Sequence, residues 1–283
     1  LGLHPGVRFG ATAAAALADL PLDEAEDLLD ALVDVHLVDE PEPGGYRLHD
    51  LIREYAATLA AGEPAAERRD AVNRLLDFHL HAIAVTGMGA QRQNLIRDLR
   101  LGEPLRKDLA AAVTDHVAHV ERERPHLAVH GEAGVAAGLP EYAWLLPRAA
   151  WRHLFTRGYL ADIATLHERA MAVAGEHGDR SAVAMSANSL ASAYSRLGRH
   201  DDARRTLELC VRLRRELGDE AGMAKAIGNL GVVSVGMGRY ADGIEACRES
   251  MRICRRLGDD SGIAMRHDLL GNELCPLDRD GLA

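Results

Sequence analysis

Gly218-Asp219-Glu220-Ala221-Gly222 decides the fold, because its opening pair recurs as Gly178-Asp179 and as Gly258-Asp259, 40 residues apart each time. Other positions keep the same beat. Leu197-Gly198-Arg199 is echoed by Met237-Gly238-Arg239, and Leu190 by Leu230 and Leu270. A fixed period of this size marks stacked repeats, not one globular core. Gly218 suits the left-handed residue that ends one helix, and Asp219 can accept backbone N–H bonds at the start of the next. Gly238 closes the first helix of a pair and the second begins near Ala241. An earlier copy spans Tyr142–Gly178 with its turn at Gly158-Tyr159. A last copy begins at Asp260 and stops near Arg279, so its unpaired helix would cap the stack.

The 283-residue chain has room for about two domains. Hydrophobic residues make up 47% and aromatics only 4%, so burial relies on Ala, Leu and Val, which let helices approach closely. A net charge of −10 disfavours phosphate backbones except at a local basic patch. Cys210, Cys247, Cys254 and Cys275 form no Cys-x-x-Cys pair and read as small buried residues in a reducing, cytoplasmic compartment. Cys247 and Cys254 share a helix face, but about 10 Å of helical rise separates them, too far for a disulfide. The absence of any apolar run of about 18 residues argues against a membrane span, and the opening lacks the pattern of a secretory signal. The chain starts at Leu1 without a methionine and reads as a piece of something longer.

Residues 1–61 read as one unit. Ala11–Leu17 predicts a short Ala-rich helix, and Pro21 breaks the chain. Leu22–Val35 predicts a helix with Leu22, Ala25, Leu28, Leu29, Leu32 and Val33 on its apolar face. Leu37-Val38 and Tyr46-Arg47-Leu48 flank the turn Pro41–Gly45 and predict a small hairpin. His49–Ala61 predicts a further helix with Leu51, Ile52, Tyr55, Ala56 and Leu59 on one side. Helix, helix, hairpin, helix is winged-helix order. The helix in the recognition position carries Asp23, Glu24, Glu26, Asp27, Asp30 and Asp34 and neither lysine nor arginine. Such a helix cannot approach phosphates or guanine edges, so no direct nucleic-acid contact is expected. Gly62-Glu63-Pro64 marks a boundary. Residues 62–138 read as a helical connector, with helices at Ala65–His81, about Asp108–Glu121 and Pro125 to about Ala137, and an unplaced segment at 84–107. The repeat array follows over 139–283. The fold class expected is therefore mainly all-α: a winged-helix domain with a small β-hairpin, a helical linker and an α-solenoid.

The hairpins resemble tetratricopeptide repeats of the longer type. The pattern runs Leu190-Ala191, Tyr194, Gly198, His200, Ala203 in one copy and Leu230-Gly231, Ser234, Gly238, Tyr240, Gly243 in the next. Ser234 and Gly243 lack a ring and a methyl, so the second copy is expected to be looser. In that family the first helix of each pair lines a concave groove. The resemblance implies groove positions at Met185, Asn188, Ser192 and Arg196, and at Lys225, Val232 and Val235, for a protein or peptide partner. Taken singly, each also reads as an ordinary solvated helix position.

Tyr46-Arg47-Leu48-His49-Asp50-Leu51-Ile52-Arg53-Glu54-Tyr55 is the most specific stretch. Leu48-His49-Asp50 resembles the Met-His-Asp motif of NB-ARC (STAND) nucleotide switches, which include bacterial transcriptional regulators of the AfsR type. The Leu1–Gly6 segment LGLHPG, the helix Arg69–His81 and the segment Gly138–Trp144 resemble further parts of that family. The resemblance implies that His49 contacts the β-phosphate of ADP, while Asp50 caps and orients the helix it opens. On chemistry alone, a helix start favours anions, and His49 reads equally as a plain terminal residue. A Gly-x-x-x-x-Gly-Lys-[Ser/Thr] loop is missing from the chain. ADP or ATP is thus implied for a full-length protein with an upstream nucleotide-binding domain, and not for this fragment alone. Oligomerisation on activation is implied as well.

His116 and His119 are three apart, and His126 and His130 four apart. Without a His-Glu-x-x-His pattern they read as ordinary surface or partly buried histidines, and no metal site is expected. A Gly-x-Ser-x-Gly elbow and a catalytic Cys/His constellation are also missing, so the chain reads as no enzyme. The function expected is the non-catalytic sensor and relay portion of a nucleotide-switched transcriptional regulator. The alternative is a free-standing repeat adaptor for protein–protein interaction.

Overall fold

The structure, a computed structural model, describes residues 1–85, 99 and 101–264. It is mainly α-helical, with one small three-stranded sheet followed by stacked helical hairpins. The chain divides into two compact units, Leu1–His153 and Leu154–Ala283. Much of the unplaced 84–107 segment, most of the last repeat copy, Leu270 and Cys275 lie outside the described residues. No helix among the described residues is long and apolar enough to cross a membrane.

The first unit opens with β1 (Arg8–Gly10), α1 (Ala11–Ala18), α2 (Leu22–Asp34), β2 (Val38–Glu42), β3 (Gly45–Leu48) and α3 (Asp50–Ala61). The expected hairpin gains a third strand. β1 pairs antiparallel with β3, placing Phe9 opposite Tyr46, and the two buried rings stack at 6.1 Å. Three residues are too few for a period-2 pattern, which is why β1 is silent in the sequence.

Helix α4 (Ala65–Ala84) supplies Leu75, Phe78 and Ala82 to the core shared with Ala13–Leu17 of α1. Ala13, Ala14, Ala15 and Ala16 of α1 are buried, so its backbone comes close to its neighbours. Asp19 in the left-handed region ends α1. Its terminal carbonyls accept from two arginines: Arg74 Nε to Ala16 O at 3.2 Å, and Arg106 Nη1 to Ala15 O at 3.3 Å. Cations at a helix C-terminus also suit its dipole.

Two expectations fail in this unit. The helix expected over Asp108–Glu121 is two helices, α5 (Lys107–Ala112) and α6 (His116–Glu123). Val113 is extended, and the Asp115 carboxylate caps α6 by accepting from Ala118 N at 2.9 Å. In α3, the apolar side splits. Ile52 packs on the core, whereas Leu51, Tyr55 and Leu59 are 79%, 64% and 58% exposed. A helix that leans on the core through Ile52, Ala56 and Ala60 must turn the adjacent i, i+4, i+8 stripe outward. A short 3-10 turn (Arg124–His126) leads into α7 (Leu127–Ala136), and α8 (Tyr142–Arg157) crosses the unit boundary.

The second unit stacks α9 (Leu160–Glu176), α10 (Arg180–Arg196), α11 (His200–Glu216), α12 (Glu220–Gly236) and α13 (Tyr240–Leu257). The reversals come at half the sequence period. Gly158, Gly178, Gly198, Gly218, Gly238 and Gly258 all have φ between 68° and 80°, a region costly for any residue with a Cβ. After each alternate glycine an aspartate caps the next helix: Asp179 accepts from Ala182 N, Asp219 from Gly222 N and Asp259 from Gly262 N, at 2.8–3.0 Å. A second device repeats inside the core. Cys210 Sγ donates to Ala184 O at 3.2 Å, and 40 residues on Ser250 Oγ donates to Ala224 O at 2.7 Å. Cys210 is thus a hydrogen-bond donor as well as a small buried residue, and burial pushes its thiol pKa up.

The second hairpin is not loosened at Gly243. Gly231 and Gly243 meet backbone to backbone: a Cβ on Gly231 would lie 2.9 Å from Cys247 Sγ and 3.1 Å from Gly243 O. A Cβ on Gly243 would lie 2.7 Å from Val235 Cγ2. The missing methyl permits close approach and leaves no gap. Alanine ordinarily gains up to about 1 kcal/mol over glycine inside a helix. At Gly243 overpacking of about 1–3 kcal/mol wins. Gly243→Ala is therefore expected to lower the denaturation midpoint, and a raised midpoint would show that α12 and α13 separate freely. Asp219→Ala removes a cap and should cost about 1 kcal/mol in the same denaturation measurement.

Candidate functional site

His49 is the N-cap residue of α3, and it is exposed. Its backbone is extended (φ −62°, ψ 148°), and its side chain makes no capping hydrogen bond. The ring instead turns to the wing: His49 Nε2 lies 3.2 Å from Asp39 Oδ2. Arg47 on β3 donates to the same oxygen at 2.9 Å. The hydrogen bond from Arg47 holds the Asp39 carboxyl below its usual range, with burial opposing it. Asp50 sits in the first helical turn and is exposed, so the expected side-chain cap is not what orients α3. Its charge still suits the positive helix end. Arg53, one turn on, holds the helix in place by donating to Gly6 O at 2.7 Å and Val7 O at 2.8 Å. Gly2 lies against α3 as well, where a Cβ would run into the Ala56 carbonyl.

Of the predicted groove residues in α10, Met185, Asn188 and Ser192 are half-buried and Arg196 is exposed. Their spacing of three and four puts them in one stripe. Ser192 Oγ donates to Ser189 O at 2.6 Å, so its proton is turned back onto its own helix. The Arg196 guanidinium lies 5.1 Å from the Phe155 ring centroid, in cation–π range. In α12, Lys225 is exposed, and Val232 and Val235 are half-buried. The two stripes adjoin through a residue absent from the sequence reading: Asn229 Nδ2 donates to Asn188 Oδ1 at 2.9 Å. Asn229 is offset by one from the 40-residue register, which matches Asn188 with Gly228. The available signal was its helical spacing, four beyond Lys225 and three before Val232.

The stripe is held by a polar anchor at the preceding hairpin. Tyr194 OH donates to Glu168 Oε1 at 2.5 Å, and the Arg199 guanidinium covers the Tyr194 ring at 4.0 Å. Burial and the bond to Glu168 push the phenol up to about 12. A separate cleft of about 480 Å³ opens between α11, α12 and α13. Ile227 and Leu230 form part of its lining, with Glu208, Glu245, Glu249 and Arg212 among its charged residues. None of the seven predicted groove residues lines it.

On the acidic face of α2, Asp23, Glu24, Glu26, Asp27, Asp30 and Asp34 are all exposed. That face repels phosphate.

Residues 183–219 and 223–260 match the family model of the tetratricopeptide repeat. One stretch of 89 residues is 46% identical to the regulatory protein AfsR of Streptomyces coelicolor, and one of 86 residues is 50% identical to AfsR of Streptomyces griseus. Each covers 30% of this chain and only 9% of the relative, so the chain matches a small part of those proteins. The described structure thus carries tetratricopeptide repeats, and the chain resembles in part a regulatory protein.

Proposed function

We propose that this chain is the non-catalytic sensor and relay portion of an AfsR-like, nucleotide-switched transcriptional regulator. The observation that carries this reading is the combination, in one chain, of tetratricopeptide hairpins with a stretch of 86–89 residues that is 46–50% identical to a small part of AfsR. Residues 1–61 would be the winged-helix domain of NB-ARC type, 62–138 the connector, and 139–283 the repeat array. The repeat groove takes a protein or effector partner along Met185, Asn188, Ser192 and Arg196 and along Lys225, Val232 and Val235. The winged helix relays that binding to an upstream nucleotide-binding domain through His49. ADP is the ligand of the closed state, and effector binding favours release and assembly. The effector must bind the open form more tightly than the closed one, because only differential affinity shifts a population.

Several features support the relay role. His49 is exposed at the positive end of a helix, where an anion is favoured. The acidic α2 makes this domain a protein-contact module rather than a reader of DNA. In place of its pairing with Asp39, His49 would take a phosphate oxygen, a stronger anion on the same ring nitrogen.

The test is His49→Ala in the full-length regulator. A hydrogen bond to a charged group contributes about 1.5–3 kcal/mol, so ADP retention should fall about 10- to 100-fold. Retention and activity both unchanged would remove the relay role from His49. An upstream reading frame without a phosphate-binding loop would instead favour the free-standing adaptor.

A further inference from the structure

Read as sequence, the histidines of the connector are ordinary helix-face residues. In the folded first unit several of them converge on one carboxylate. Glu123 closes α6 and is 2% exposed. Its Oε2 lies 3.0 Å from His130 Nε2 on α7 and 3.9 Å from His79 Nε2 on α4. His126 Nδ1, on the 3-10 turn between α6 and α7, lies 3.8 Å from the same oxygen. His79 and His130 are fully buried, with ring centroids 4.6 Å apart. The donor atoms of His79, Glu123 and His130 all fall within 4.8 Å of one another.

We propose that His79, Glu123 and His130 bind a divalent transition-metal ion of the zinc class, with His126 Nδ1, 3.8 Å from the same Glu123 oxygen, offered as a fourth donor. Three observations carry this. The first is distance. Nitrogen and oxygen ligands sit about 2.0–2.2 Å from zinc, so tetrahedral neighbours lie about 3.3 Å apart. The 3.0–3.9 Å separations around Glu123 Oε2 bracket that value. The second is unsatisfied chemistry. His79 Nε2 and His126 Nδ1 are buried and lack a hydrogen-bond partner. A buried polar atom left unmatched costs about 1–3 kcal/mol, and groups kept in that state call for an explanation. Both of these atoms lie within 4 Å of the Glu123 oxygen, and a shared cation would satisfy them together.

The third is burial. Glu123, His79 and His130 sit together in the interior, and a carboxyl group placed in a dry core calls for a partner that satisfies it. A divalent ion would do so and would use both rings. The surroundings fit a ligating histidine. His79 Nδ1 is 3.3 Å from His119 Nε2, a contact that fixes the ring and leaves Nε2 for the metal. The His126 side chain is 14% exposed and offers a way in.

The test uses the full chain, stripped with a chelator, and Zn²⁺ and Co²⁺ as probes. Calorimetry is expected to show one tight zinc equivalent, and Co²⁺ to give the intense visible absorption of a tetrahedral site. Glu123→Gln and His130→Gln should each weaken zinc binding at least about 100-fold, and His126→Ala about 10-fold. His153→Ala breaks a different histidine–carboxylate pair, His153 with Glu121 at 2.8 Å, and should leave binding unchanged. Absence of a stoichiometric tetrahedral Co²⁺ site in the unmodified chain overturns the proposal, whether or not the variants fold. So does zinc binding that survives both Glu123→Gln and His130→Gln.

Discussion

Each reversal in the second unit rests on a backbone conformation that a side chain resists. Gly158 to Gly258 hold left-handed φ values every 20 residues, and each ends a helix by letting the chain fold back over its last carbonyls. At Gly218 the following Asp219 N–H bonds to Arg214 O at 2.9 Å, and its carboxylate then starts the next helix. One dipeptide thus satisfies both ends of a joint. The buried donors at Cys210 and Ser250 depend on this timing, because a helix one residue longer would carry the thiol or hydroxyl past its carbonyl.

The second unit was legible because its physics is local. Glycine and aspartate at a fixed interval state where helices stop and start. What was missed there is non-local. The Asn188–Asn229 bond joins two positions 41 residues apart, one off the repeat period. The backbone contact of Gly231 with Gly243 inverts the meaning of a small residue, from absent packing to close approach.

The first unit was legible only in outline. The patterned helices and the hairpin could be read, but β1 is too short to announce itself, and the apolar residues of α3 do not say which of two neighbouring stripes turns inward. The histidines show the same limit. His119, Glu123, His126 and His130 are spaced four, three and four apart, and yet reading them as isolated pairs omitted the carboxylate between them. His79 lies 40 or more residues upstream of that cluster and joins it through the packing of α4 alone. Nor does sequence show that His49 rests against Asp39 across the wing.

The 20-residue spacing of the left-handed glycines has a consequence for how such an array changes over time. Since every joint is closed by its own residues, excising or duplicating one 40-residue segment between equivalent glycines rejoins matching ends, and the new neighbours inherit compatible surfaces. A deletion that is not a multiple of this period would instead leave a glycine or an aspartate out of step with the helix ends.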